Sequence, residues 1–84
     1  MKIVQKLDIV EVGNTPNPER RVVIIQREDG FYAFAEQYHY TTKHSGEIVV
    51  KGWHTLAANG VYADLNVAKN EGRAAFTRRH GIAY

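Results

Sequence analysis

The chain has 84 residues, no cysteine and a formal net charge of +2. A chain of this length predicts one domain, residues 1–84, and folding of so small a domain buries only about 60 to 65% of the surface that the unfolded chain exposes. The lack of cysteine excludes disulfides and thiolate metal sites. The fold therefore has to be stabilised by hydrophobic packing or by formation of a homodimer. No window approaches the roughly 20 apolar residues that cross a bilayer, so we expect a soluble, cytoplasmic protein without a membrane partner.

The first segment predicts a strand and a loop. Residues 3–12, IVQKLDIVEV, are rich in β-branched residues with a loose alternation, which is typical of a strand. The two prolines and two asparagines of the next segment, GNTPNPE, favour turns over regular structure. We expect residues 13–19 to be a connection only.

The middle of the chain predicts a β-hairpin. Residues 20–27 and 31–40 have strand character, and Asp29 and Gly30 between them are the signal for a two-residue type I′ turn. With these turn residues, Ile25 pairs with Phe34. One face then carries Val23, Ile25, Tyr32, Phe34, Tyr38 and Tyr40, and the other carries Val22, Ile24, Phe31, Ala33, Ala35 and His39.

The last part predicts a fourth strand and a helix. EIVVKGW, residues 47–53, is a strand that ends near Trp53, and Asp64 is an N-cap for a helix from about Leu65 to Arg79. Gly72 in the middle of that helix indicates that the helix backbone lies very close to another part of the protein. The alanine-bearing face of the hairpin is the expected floor for it.

These elements predict an α+β fold. It consists of a meander of three to four antiparallel strands with one C-terminal helix packed on one face. One helix cannot cover both apolar faces, so some aromatic residues remain for a loop or a partner. The predicted interaction surface comprises Tyr32, Phe34, Tyr38, Tyr40 and Trp53.

No arrangement of residues predicts an enzyme. Glu36, His39, His44 and His54 have metal-ligand chemistry, but Glu36 and His39 point to opposite faces of a strand, and the histidines match no compact metal motif. Ser45 lies in a turn without a nucleophile elbow, and the glycines do not have the spacing of a phosphate-binding loop. We therefore expect no catalytic residue, no metal and no cofactor.

Nucleic acid is the alternative partner. The basic excess lies in the C-terminal part, since residues 65–84 hold four Lys or Arg against one Asp or Glu. Aromatic residues on a sheet stack on bases, and basic side chains contact phosphates. The helix arginines also fit a solvated end that offsets the helix dipole. The candidate nucleic-acid contacts are Arg20, Arg21, Arg27, Lys69, Arg73, Arg78 and Arg79.

Two resemblances accompany these patterns. DGFYAF, Trp53 and GVYADLNVAKNEGRAAF resemble a group of small uncharacterised bacterial proteins over residues 20–77, which implies a free-standing domain of unknown function. Gly60, Tyr62 and Ala68 are similar to the last strand and helix of sheet-plus-helix DNA-binding domains, of the plant AP2 and integrase N-terminal kinds. That resemblance implies DNA contacts from the sheet arginines and Trp53, although Glu28 and Glu36 depart from the pattern. We predict a non-catalytic protein-interaction or self-association module, with nucleic-acid binding as the alternative.

Overall fold

The computed structural model describes residues 1–84 as six strands followed by one helix. The strands are β1 (Lys2–Lys6), β2 (Val10–Glu11), β3 (Glu19–Gln26), β4 (Tyr32–His44), β5 (Glu47–Thr55) and β6 (Asn59–Tyr62), and the helix is α1 (Leu65–His80). All strand pairings are antiparallel. The predicted α+β fold, an antiparallel sheet with one C-terminal helix packed against it, is confirmed.

The centre of the sheet is formed by β3 and β4. Both β1 and β2 pair with the outer edge of β3, and both β5 and β6 pair with the outer edge of β4. The single strand predicted over residues 3–12 is therefore divided into two short strands. β6 lies between β5 and the helix, where the pattern of apolar residues predicted no strand.

The β3–β4 hairpin forms as predicted, but its loop has three residues instead of two. The Arg27 N–H donates to the Phe31 carbonyl over 2.8 Å and closes the ladder. Gly30 has a φ of 86°, and Asp29 Oδ1 accepts a hydrogen bond of 3.0 Å from the Phe31 N–H. This geometry is that of a three-residue loop with glycine in the left-handed region. The predicted type I′ turn at Asp29 and Gly30 is wrong.

The extra loop residue shifts the register by one, so that each face of β3 lies beside the face of β4 opposite to the one predicted. Ile24 pairs with Phe34 and Ile25 pairs with Ala33, so Phe34 does not oppose Ile25 as predicted. Ile24 and Phe34 belong to the core beneath α1, whereas Ile25, Ala33 and Ala35 lie on the opposite face. The expectation that the helix packs on Ala33 and Ala35 is therefore wrong.

The helix begins at the predicted N-cap and is terminated by Gly81. Asp64 Oδ1 accepts hydrogen bonds from the N–H groups of Asn66, at 2.7 Å, and Val67, at 3.2 Å. Gly81 has a φ of 68° and its N–H donates to the Thr77 carbonyl over 2.8 Å, which terminates α1. α1 lacks the length and the apolar content that crossing a membrane would require.

The close approach predicted at Gly72 is confirmed, with different neighbours. A Cβ atom at Gly72 would lie 2.9 Å from Val22 Cγ1 and 3.0 Å from Phe34 Cβ. α1 therefore rests directly on β3 and β4, and any side chain at this position would collide with the sheet. The buried apolar residues of this core are Leu7, Val12, Val22, Ile24, Ala68 and Phe76.

The C-terminal residue closes the core from the side. The ring of Tyr84 packs on Phe76 with 4.6 Å between ring centroids. Its hydroxyl donates to the Asp8 carbonyl over 2.6 Å and accepts a hydrogen bond of 3.1 Å from the Val22 N–H. The last residue of the chain thus ties α1 to β3 and to the segment between β1 and β2.

Candidate functional surfaces

The distal halves of β4 and β5 project beyond the other strands as a two-stranded hairpin. β3 accompanies β4 only as far as Tyr38, whereas β5 pairs with β4 up to His44. Ser45 and Gly46 connect the two strands with φ values of 53° and 82°, and positive φ at both positions is what a type I′ turn requires. Every residue from 41 to 51 is exposed, and we call residues 41–51 the arm.

The arm presents three consecutive apolar residues to solvent. Ile48, Val49 and Val50 are 58%, 57% and 50% exposed. Thr42 pairs with Val50 and Lys43 pairs with Ile48, so Val49 is an extra residue that makes a β-bulge. No strand pairs with the outer edge of β5. The arm therefore combines apolar side chains with a free strand edge.

The five aromatic residues predicted as an interaction surface are divided among three places. Tyr32 and Phe34 pack against the core beneath α1. Tyr38 and Tyr40 lie farther along β4 on that same face, towards the arm, and Trp53 lies on the opposite face. The residues nearest to the arm are thus Tyr38, Tyr40 and Trp53.

A connected set of polar and aromatic contacts lies on the face away from α1. The guanidinium carbon of Arg21 is 4.0 Å from the centroid of the Trp53 ring, and His39 meets that ring edge-on at 5.1 Å. Arg21 Nε donates to Gln37 Oε1 over 2.8 Å, and Gln37 Nε2 donates to Thr55 Oγ1 over 2.8 Å. These contacts hold the Arg21 cation against an aromatic face, which is a favourable arrangement.

Glu36 lies in a cluster of basic side chains beneath the C-terminal end of α1. It is 8% exposed, and Arg20 Nη1 donates to its Oε2 over 2.7 Å. His80 Nε2 is 3.0 and 3.1 Å from its two oxygens, and Arg79 Nη1 is 3.8 Å from Oε1. Sequence reasoning missed this cluster, because 44 positions separate Glu36 from His80.

The histidines considered as metal ligands lie apart from this cluster. His39 is beside Trp53 on the face opposite to Glu36, His44 ends β4 at the tip of the arm, and His54 lies in β5. No group of three or more His, Cys, Asp or Glu residues is close enough together to hold a metal ion.

A pocket of about 140 Å³ opens beside Glu36, between α1 and the segment that connects β5 to β6. This segment leaves the sheet at Leu56, whose N–H donates to the Glu36 carbonyl over 2.9 Å. Glu36, Asn59 and Arg79 contribute the polar groups of the pocket. Its apolar wall consists of Val22, Phe34, Leu56, Ala57, Ala75 and Phe76.

The seven basic residues predicted as nucleic-acid contacts are distributed over separate surfaces. Arg20 is paired with Glu36 under α1, and Arg21 lies against Trp53 on the opposite face. Arg27 Nη2 is 3.1 Å from a carboxylate oxygen of Asp29 in the β3–β4 loop. The remaining four are carried by α1, and they are Lys69, Arg73, Arg78 and Arg79.

Comparison of the chain with protein-family models, with curated proteins and with solved structures finds no match.

Proposed function

We propose that this chain is a non-catalytic self-association module whose copies contact one another through the arm. The exposure of Ile48, Val49 and Val50, each at least half exposed, is the observation that supports it. An isolated two-stranded hairpin is only marginally stable in water, and contiguous exposed apolar residues are typical of protein contact sites. Packing against a second copy buries these residues and gives the hairpin additional neighbours.

The size of the apolar contact favours a weak association. Full burial of a Val or Ile side chain is worth about 1.5–3 kcal/mol, and these side chains are already about half buried, so six of them in a pair of arms contribute roughly 5–9 kcal/mol. Loss of translational and rotational freedom costs about 4–15 kcal/mol. We therefore expect a pair of copies whose population depends strongly on concentration.

The arm also has features that limit the association to a closed pair. The bulge at Val49 interrupts the regular edge of β5, and Lys43 and Lys51 flank the apolar residues. Bulges and lysines on edge strands oppose open-ended strand pairing. Side-chain packing between two arms is thus favoured over a growing sheet. The small net charge of +2 opposes association of copies only weakly.

Sedimentation velocity over a range of concentrations tests this function with a matched pair of variants. Val49 in the arm and Val61 in β6 are both 57% exposed. Val49→Glu places a charge in the proposed contact, so we expect it to remain monomeric at concentrations where the wild type associates, while Val61→Glu associates like the wild type. A wild type that is monomeric at every concentration, or equal effects of the two substitutions, overturns the proposal.

Nucleic-acid binding is the second candidate, and the Arg21–Trp53 contact on the face away from α1 favours it. Lys51 extends from the same face of β5. Single-stranded nucleic acid binds where aromatic rings stack on bases and cations contact phosphates. A filter-binding titration with a single-stranded oligonucleotide should show affinity that falls with salt and is lost in Trp53→Ala but kept in Lys2→Gln, which removes an exposed cation outside the candidate contacts. Absence of a complex at low salt removes this candidate.

A further inference from the structure

The pocket beside Glu36 has room for a small apolar group. Its volume is about 140 Å³, and the gap exists because α1 and the facing segment present small residues, Ala75 and Ala57. An engineered apolar cavity of about 150 Å³ in another protein binds benzene. The pocket beneath α1 therefore matches a single ring or a short branched chain.

The polar end of the pocket carries more positive than negative charge. The Glu36 carboxylate is paired with Arg20 at 2.7 Å and hydrogen-bonded to His80 at 3.0 Å. The Arg79 side chain is 56% exposed, and its closest approach to Glu36 is 3.8 Å, which is longer than a hydrogen bond. Arg20 thus offsets the charge of Glu36, and the donors of Arg79 remain free for a second carboxylate.

We propose that this pocket binds a small monocarboxylic acid whose apolar part is about the size of a benzene ring. The apolar part fits between Ala75 and Ala57, and the carboxylate pairs with the guanidinium of Arg79 at the mouth. Arginine binds carboxylates through two parallel hydrogen bonds, which gives both affinity and orientation. The site is separate from the arm, and it does not depend on the association of copies.

Benzoate is the probe for the titration, because its ring matches the pocket and its carboxylate is the proposed ligand of Arg79. Binding is followed by the shifts of backbone amide signals in two-dimensional NMR spectra. We expect saturable shifts for residues of the pocket, among them Gly72 and Ala75, and no comparable shifts in the arm. Benzyl alcohol and benzylamine, which have the same ring without the carboxylate, should bind at least about tenfold more weakly.

Neighbouring arginines supply the matched variants. Arg79→Gln should weaken benzoate binding about tenfold or more, whereas Arg78→Gln removes the same charge from the same helix end and should leave the affinity within about twofold. Both side chains are exposed, so both variants should fold. Ala75→Leu fills the pocket and should abolish binding. The proposal is overturned if no saturable shifts occur, if the two arginine variants lose affinity equally, or if benzyl alcohol binds as tightly as benzoate.

Discussion

The carboxylate of Glu36 and the guanidinium of Arg20 meet at 2.7 Å across β3 and β4, and their side chains are only 8% and 12% exposed. His80 reaches the same carboxylate from the last turn of α1. Enclosed charges lose their hydration, and the loss is compensated only while both partners are present. The contact of His80 with Glu36 therefore links the helix end to the sheet, and removal of either Arg20 or Glu36 leaves an enclosed charge without compensation.

Glu36→Ala should lower the free energy of unfolding by about 3–5 kcal/mol, because Arg20 then remains enclosed without a carboxylate. Urea titration followed by circular dichroism measures the change. Glu28→Ala is the matched control, since the Glu28 side chain is 92% exposed, and its effect should stay within about 0.5 kcal/mol. A loss below about 1 kcal/mol in Glu36→Ala would show that water already compensates the cluster.

The hairpin shows how one loop residue limits prediction from sequence. Asp29 and Gly30 are compatible with a two-residue loop and also with the last two positions of a three-residue loop. Residues 22–25 are all apolar, so either register places apolar side chains on both faces, and periodicity cannot select between them. The hairpin and the helix with its N-cap were predictable, but the face of β4 that α1 covers was not.

The cluster around Glu36 could not be predicted from the sequence for a different reason. A glutamate in a strand is exposed in most proteins, and only the true register, in which Glu36 opposes Val22, places it under the helix. His80 lies in the last turn of α1, where a basic residue is expected in any case because a cation offsets the helix dipole. The contact between them depends on how α1 crosses the sheet, and no local pattern in the chain encodes that crossing.

Gly72→Ala should destabilise the protein although alanine is the better helix former. Alanine gains about 1 kcal/mol of helix propensity over glycine, but the new methyl group would lie 2.9 Å from Val22 Cγ1 and 3.0 Å from Phe34 Cβ. Overpacking of this kind costs about 1–3 kcal/mol, so we expect a net loss of about 1 kcal/mol in a chemical unfolding titration.

Two further variants identify the cause of that loss. Gly13→Ala is the control, because a Cβ atom at Gly13 would have no neighbour within 4 Å, and it should be nearly neutral. In the Val22→Ala, Gly72→Ala double variant the new methyl group has more room. The loss of stability in the double variant should therefore be smaller than the sum of the losses in the two single variants. Strict additivity of the two losses would contradict the steric explanation.

Asp64→Ala should lower the stability of α1 by about 1 kcal/mol, because the Asp64 carboxylate accepts hydrogen bonds from the N–H groups of Asn66 and Val67. Thermal unfolding measured by circular dichroism gives the loss. Asp64→Asn keeps an acceptor oxygen at the N-cap and should retain most of the stability. If both variants lose the same amount, the charge of Asp64 matters more than its hydrogen bonds.

Ionisation of the Tyr84 hydroxyl should destabilise the protein at alkaline pH. Burial raises the pKa of the Tyr84 hydroxyl above its usual value of 10.0, more than the hydrogen bond from the Val22 N–H lowers it. The folded protein therefore holds the phenol proton more tightly than the unfolded chain does. The resulting contribution to the free energy of unfolding is complete below pH 10 and is lost as the pH rises through the folded pKa.

Tyr84→Phe removes the hydroxyl that joins Val22 to Asp8 and should cost about 1 kcal/mol at neutral pH. Urea titrations from neutral pH to about pH 11 should then show a smaller alkaline loss in Tyr84→Phe than in the wild type, whereas Tyr40→Phe, which retains Tyr84, should follow the wild type. Parallel curves for the wild type and Tyr84→Phe would mean that the alkaline loss arises from other groups.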